Sequence, residues 1–167
     1  MIVWPATRAD VQRLCREMRQ SDRLETQYNA EVTGRITPQW SIERELLEAF
    51  EASTFWAVWR QDDLVGLGGV APLPQDPNVG AIWFLGTHMA DSHQLALTLT
   101  LRRFIRAERP RWGVLGNVIP QHMVRRRAWL EKLGFDFAPS EANKNTQGLV
   151  AFWSHAQDGP DEQPAAP

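Results

Sequence analysis

Apolar residues recur along this chain with two periods. Val11, Leu14, Cys15 and Met18 lie three and four apart, which predicts an amphipathic helix to about Gln20. Thr7-Arg8-Ala9-Asp10 precedes it as a capping box, with Thr7 as N-cap and an acid three residues on. A second, shorter helix runs from a Ser21 or Asp22 cap to Gly34. Thr37-Pro38 signals a third, with Trp40, Leu46, Leu47 and Phe50 carrying it to about Ala52. Ahead of the helices, residues 1–4 read as a strand ended by Pro5.

From residue 54 the period drops to two. Residues 54–60 and 64–71 form a hairpin around Gln61-Asp62-Asp63. Gly66, Gly68 and Gly69 within its second strand predict a bulge or a close backbone approach. Residues 72–78 read as a loop. Residues 79–87 form a strand whose Ile82, Trp83, Phe84 and Leu85 suit burial on both faces. Ser92 caps a long helix, 93–108, with an apolar stripe of Leu95, Leu99, Phe104 and Ile105, ended by Pro110. A strand over 112–119 follows, then a helix over 121–133 opened by Pro120 and closed by Gly134. Residues 135–137 and 149–153 are the last strands. The order predicts an α/β fold, a mixed central sheet of about seven strands flanked by four or five helices. It occupies a single domain, 1–155, and residues 156–167 are expected to be a disordered acidic, proline-containing tail.

Composition narrows the chemistry. No apolar run approaches the ~18 residues of a membrane span and no leader pattern opens the chain, so a soluble, cytoplasmic protein is expected. One cysteine excludes an internal disulfide and a cysteine-rich zinc site. His88, His93, His122 and His155 lack ligand spacing, so no metal is expected. Cys15 lies on an apolar helix face, where a core role is expected. The net charge is −2, yet the basic residues are sixteen arginines against two lysines. Guanidinium forks suit phosphate. Between Leu101 and Leu130 eight arginines face one acid, Glu108.

The element order, with Trp129-Leu130-Glu131-Lys132-Leu133-Gly134-Phe135 closing the last helix, resembles the GNAT superfamily of acetyl-CoA-dependent N-acetyltransferases. Trp4-Pro5-Ala6-Thr7-Arg8-Ala9-Asp10-Val11 looks like the opening of that family. Met18 through Glu25, Trp83-Phe84-Leu85-Gly86-Thr87 and Trp129 through Phe135 together resemble the GNAT-like proteins of tailed phages, which include internal virion proteins.

The resemblance implies that acetyl-CoA contacts would fall on Phe84, Leu85, Gly86, Thr87, Ser92 and His93. In the superfamily, glycine-rich backbone at the start of the long helix cradles the pyrophosphate. Here residues 86–93 have no glycine after Gly86, no arginine or lysine, and Asp91 where phosphate would arrive. Arg102, Arg103, Arg106, Arg109 and Arg111 lie at the other end of that helix, complementing its negative pole. Residues 79–85 carry no carboxylate, Leu130 stands at the family's tyrosine position and Met123 at its asparagine position. Tyr28, and Glu25 or Glu31, are the second helix's candidates for reaching the cleft.

Three functions follow. The first is a phage or prophage GNAT-fold protein with an eroded acetyl-CoA site and a virion or assembly role, partnered by phage structural proteins or a host protein, in the host cytoplasm or in the particle. The alternative is an active acetyl-CoA-dependent N-acetyltransferase with an atypical phosphate loop. The third is a host-directed or polyanion-binding module using Arg102, Arg103, Arg106, Arg125, Arg126 and Arg127; successive helical residues point ~100° apart, so the last three cannot share one face.

Overall fold

A mixed sheet of seven strands carries helices on both faces in the computed structural model, which describes residues 1–73, 75–139 and 148–155. The tail expected over 156–167 lies outside the described residues. Along the chain run β1 (Ile2–Pro5), α1 (Arg8–Glu17), α2 (Gln20–Val32), α3 (Ile42–Ala52), β2 (Thr54–Arg60), β3 (Asp63–Leu73) and β4 (Asp76–Gly86). Then come α4 (His88–Ser92), α5 (Gln94–Glu108), a 3-10 turn (Arg109–Arg111), β5 (Val114–Pro120), α6 (Val124–Leu133), β6 (Asp136–Phe137) and β7 (Leu149–His155). The strand order is β1-β2-β3-β4-β5-β7-β6, and the central β4/β5 pair alone is parallel among these ladders. The expected α/β class is the observed one, with six α-helices among the described residues, of which α4 has five residues.

Local chemistry explains most boundaries. The capping box forms: Thr7 Oγ1 accepts from the Asp10 N–H, and Asp10 Oδ2 accepts from the Thr7 N–H at 2.7 Å. Gly134 ends α6 in the left-handed region at φ 91°. A Cβ at Gly66 would stand 2.5 Å from the Leu85 carbonyl oxygen, so the close approach is real. A bulge is there too, where the pairing shifts between Val58 and Trp59.

Other expectations are corrected by tertiary context. Ser21 and Asp22 do not cap α2, which starts at Gln20 behind Arg19 without a side-chain cap. Ser41 caps α3 by accepting from the Arg44 N–H, while Thr37-Pro38 sits in a turn closed by Trp40 N–H to Thr37 C=O. The loop expected over 72–78 shrinks, since β3 reaches Leu73 and β4 starts at Asp76. Beyond Val70 β3 has no β2 partner, and Pro72 is tolerated on that free edge. Ser92 ends α4 instead of capping α5, whose N-cap is His93. Leucines lie on two faces of α5, and the buried stripe is Leu97, Leu101 and Ile105, leaving Leu95 77% and Leu99 49% exposed. Pro120 closes β5, and α6 begins only at Val124.

Two cores result. One lies under α5 and α6 and includes Val70, Ile82, Leu101, Ile105, Leu130 and Phe152. The other lies under α1 and α3 and includes Val11, Leu14, Leu46, Phe55 and Leu67. Alternation along β4 sends Ile82 and Phe84 to the first and Trp83 and Leu85 to the second. That places β4 in the middle of the molecule.

Candidate functional site

The central parallel ladder is short. β4 and β5 pair at Val79–Val114, Gly80–Leu115 and Ala81–Gly116, then diverge. At the fork Asn117 donates its side-chain N–H to the Ile82 carbonyl at 2.9 Å. Past that point the β5-facing backbone of Ile82–Leu85 has no ladder partner. A cavity of about 350 Å³ passes through the sheet there. On the α5/α6 side Phe84, Leu101, Phe104, Trp129 and Leu130 line it. On the other side Leu46, Phe55, Trp83 and Leu85 meet Glu25, Thr26 and Asn29 of α2.

That polar wall exists because α2 is turned inside out. Asp22, Glu25, Thr26 and Asn29 recur at helical spacing and face inward, while Leu24 is exposed. Burying Asp22 at 0% exposure requires partners, and three elements supply them. Its Oδ2 accepts from the Gly86 N–H at 2.6 Å, and Oδ1 pairs with Arg19 at 2.8 Å and with Arg126 of α6. Arg126, 12% exposed, also lies 3.0 Å from Glu25 and over the Trp129 ring. Arg19 continues the chain of charges to Asp91 at 2.6 Å. Burial pushes the Glu25 carboxyl above its ordinary range; Arg126 pulls it back, the Asp22 charge pushes it further up, and the net direction is upward. A carboxylate raised this way and set in a cavity wall is suited to proton transfer.

The resemblance-derived contact residues occupy one end of the sheet. Phe84 and Leu85 line the cavity. Gly86 gives its N–H to Asp22, and a Cβ there would stand 2.7 Å from that of Ala90. Thr87 is buried, caps α4 through Met89, and donates its hydroxyl to the Leu64 carbonyl at 2.7 Å. Ser92 is exposed at the end of α4, and His93 sits 2.6 Å from Arg60 of β2. Two expectations about this loop change. Asp91 does not bear an uncompensated charge, because Arg19 holds it. The loop also has basic neighbours, Arg19 and Arg60, brought by other elements.

The candidates on α2 separate. Glu25 lines the cavity, so it is no ordinary helix-surface residue. Glu31 is exposed and accepts from Gln27, and Tyr28 packs edge-on against His122 with centroids 5.5 Å apart. Leu130 does line the cavity, and Met123 is the residue before α6, without a side-chain cap. The basic region divides as well. Arg126 is internal and is withdrawn from any polyanion face. Arg127 pairs with Glu131 and covers Phe137, whereas Arg102, Arg103, Arg106 and Arg125 are exposed. Arg109, at the C-cap of α5, also donates to the Gly134 carbonyl at 2.9 Å and so helps close α6. Cys15 is half-buried, its thiol pushed up to about 11 by burial, with Glu43 adding to the shift. Among the described residues no three His, Cys, Asp or Glu side chains are grouped to hold a metal ion.

Asp22, Arg19, Asn29 and Asn117 were not among the sequence candidates. The signal was present for α2, a polar stripe at helical period opposite an exposed leucine; for Asn117 there was none.

Solved structures share this architecture. The protein smu.2055 from Streptococcus mutans superposes with a TM-score of 0.63 at 12% identity, covering 94% of this chain and 100% of that one. A ribosomal-protein-alanine N-acetyltransferase from Brucella melitensis gives 0.61 at 15%, covering 93% and 99%. A Bacillus subtilis acetyltransferase in complex with CoA gives 0.54 at 11%, covering 68% and 84%. No protein-family model and no curated protein matches the chain. The chain shares the mixed α/β fold of these acetyltransferase structures.

Proposed function

We propose that the chain is an acetyl-CoA-dependent N-acetyltransferase with an atypical phosphate site, in which Glu25 receives the proton of the amine. The observation that carries this is the cavity crossing the sheet at the β4/β5 fork with the Glu25 carboxylate in its wall. The donor groups present fit the cosubstrate. Backbone at Trp83–Leu85 without a partner on the β5 side offers partners to the amides of a pantetheine arm. The uncapped first turn of α5, with Arg60 and His93 beside it, offers N–H groups and positive charge to phosphate. When bound, acetyl-CoA supplies an acetyl thioester. Glu25 takes a proton from the entering ammonium, leaving a neutral nucleophile, and the Arg126–Asp22 pair fixes its carboxylate. With Leu130 at the position of tyrosine, that residue cannot protonate a departing thiolate.

Calorimetric titration with CoA, together with thiol release from acetyl-CoA over a panel of amines, tests the reading. Saturable CoA binding and amine-dependent release are expected. Glu25→Gln should lower turnover by about 10²-fold or more with CoA affinity unchanged. No saturable CoA binding below about 1 mM, roughly −4 kcal/mol, would overturn it.

One observation favours a second reading, the phage virion or assembly protein with an eroded site. The N–H groups of Gly86, Thr87, Met89 and Ala90, next to the first turn of α4, are already engaged by Asp22, Val65 and Thr87. Under that reading CoA does not bind, and co-purification with phage structural proteins or a host protein replaces turnover.

A further inference from the structure

The wall of the cavity on the α2 side holds two buried acceptor atoms with no hydrogen-bond donor, Glu25 Oε2 and Asn29 Oδ1. Glu25 Oε2 has Arg126 Nη2 at 3.0 Å as an ion-pair neighbour, but no N–H is directed at it. The two residues are four apart on α2, so their side chains share one helix face. Buried acceptors left this way are costly unless something supplies donors. Leu46, Phe55, Trp83 and Leu85 supply the apolar part of this wall, and Thr26, Thr33 and the Arg35–Glu45 pair also line the cavity.

Charge sets a second limit. The connected cluster holds three carboxylates, Asp22, Glu25 and Asp91, against two guanidiniums, Arg19 and Arg126. One negative charge remains. Arg35 and Glu45, which also line the cavity, pair with each other and add none. The volume, about 350 Å³, is at the small end of ligand pockets and is shared with the acyl arm.

We propose that this chamber takes a primary amine with a single positive charge on a small apolar or aromatic body, its N–H groups divided between Glu25 and Asn29. The proposal rests on the acetyltransferase reading and names the acceptor class of that site. An ammonium carries three donors and one charge, which matches two orphan acceptors and one uncompensated carboxylate. Phe55 and Trp83 supply apolar surface for the body. A polyamine brings two or three further ammonium groups for which this wall has no free carboxylate.

The full chain without CoA is titrated with 2-phenylethylamine, 2-phenylethanol and spermidine, followed by calorimetry and tryptophan fluorescence. Saturable binding of 2-phenylethylamine is expected, with the alcohol and spermidine each weaker by about tenfold or more, as loss of one charge-assisted hydrogen bond requires. Glu25→Gln and Asn29→Leu should each weaken the amine by about tenfold while leaving CoA affinity unchanged. Equal binding of the alcohol, tighter binding of spermidine, or no saturable amine binding would overturn the proposal. If either variant fails to fold, the three-ligand comparison on the unaltered chain still decides. CoA affinity is measured separately, so loss of amine binding with CoA binding intact refutes this inference alone. Absence of CoA binding refutes the acetyltransferase reading itself.

Discussion

Arginine appears in this molecule in two settings on helices that pack against each other. On α6, Arg126 reaches inward to Asp22 and Glu25 and is nearly covered. On α5, Arg102, Arg103 and Arg106 point to solvent, with no carboxylate partner among the described residues. The side chain is the same and its consequences are opposite. A buried guanidinium removed from water has to recover that solvation from carboxylates, so each member of the cluster depends on the rest. An exposed guanidinium keeps its water, and any pairing there adds little. Where arginines crowd in sequence, the carboxylates that other elements deliver decide which of them build the structure.

The sharpest way to break this contrast is Asp22→Ala. It strands Arg19, Arg126 and the Gly86 N–H together, and a loss of about 3–5 kcal/mol is expected in the denaturant midpoint. A loss below about 1 kcal/mol would show the cluster to be solvated like the α5 face. Gly134→Val tests the helix that delivers Arg126. Its φ of 91° is strained for a branched residue, so about 1–2 kcal/mol should be lost. An unchanged midpoint would mean that α6 is not anchored by this cap.

A smaller effect separates Glu25 from its neighbours by pH. Its carboxyl is raised in the fold, so the folded chain binds this proton more tightly than the unfolded chain does. The contribution of Glu25 to stability therefore falls as pH rises from the ordinary carboxylate range to the raised value. Glu25→Gln lacks that titration, so its midpoint relative to the parent should climb as pH rises above the ordinary carboxylate range. A flat difference above that range contradicts the upward direction. The smallest change is expected from Arg103→Gln with Arg106→Gln, within about 0.5 kcal/mol of the parent at any salt concentration. A larger loss would show that the exposed face has a partner after all.

Much of the scaffold could be read from the chain alone. The capping box at Thr7, the helix stop at Gly134 and the β2/β3 hairpin rest on neighbours within a few residues, and the apolar run of β4 announced its burial on both faces. Local sterics and periodicity fix such features whatever the rest of the chain does. The α5 stripe was half right: Phe104 and Ile105 face the core, but Leu95, Leu97, Leu99 and Leu101 lie on two faces of one helix, and only packing decides that Leu97 and Leu101 are the buried pair. The site was half legible. Phe84, Leu85 and Glu25 were singled out and line the cavity, while Asp91 was read as an unshielded charge and Arg126 as part of a surface patch. Sequence determined the charges, the periods and the stops. Only tertiary structure could bring Asp22 to Arg126 across 104 positions and part β4 from β5 after three pairs. Neither is local: a buried charge finds its partner through space, and a fork between parallel strands depends on everything packed to either side of it.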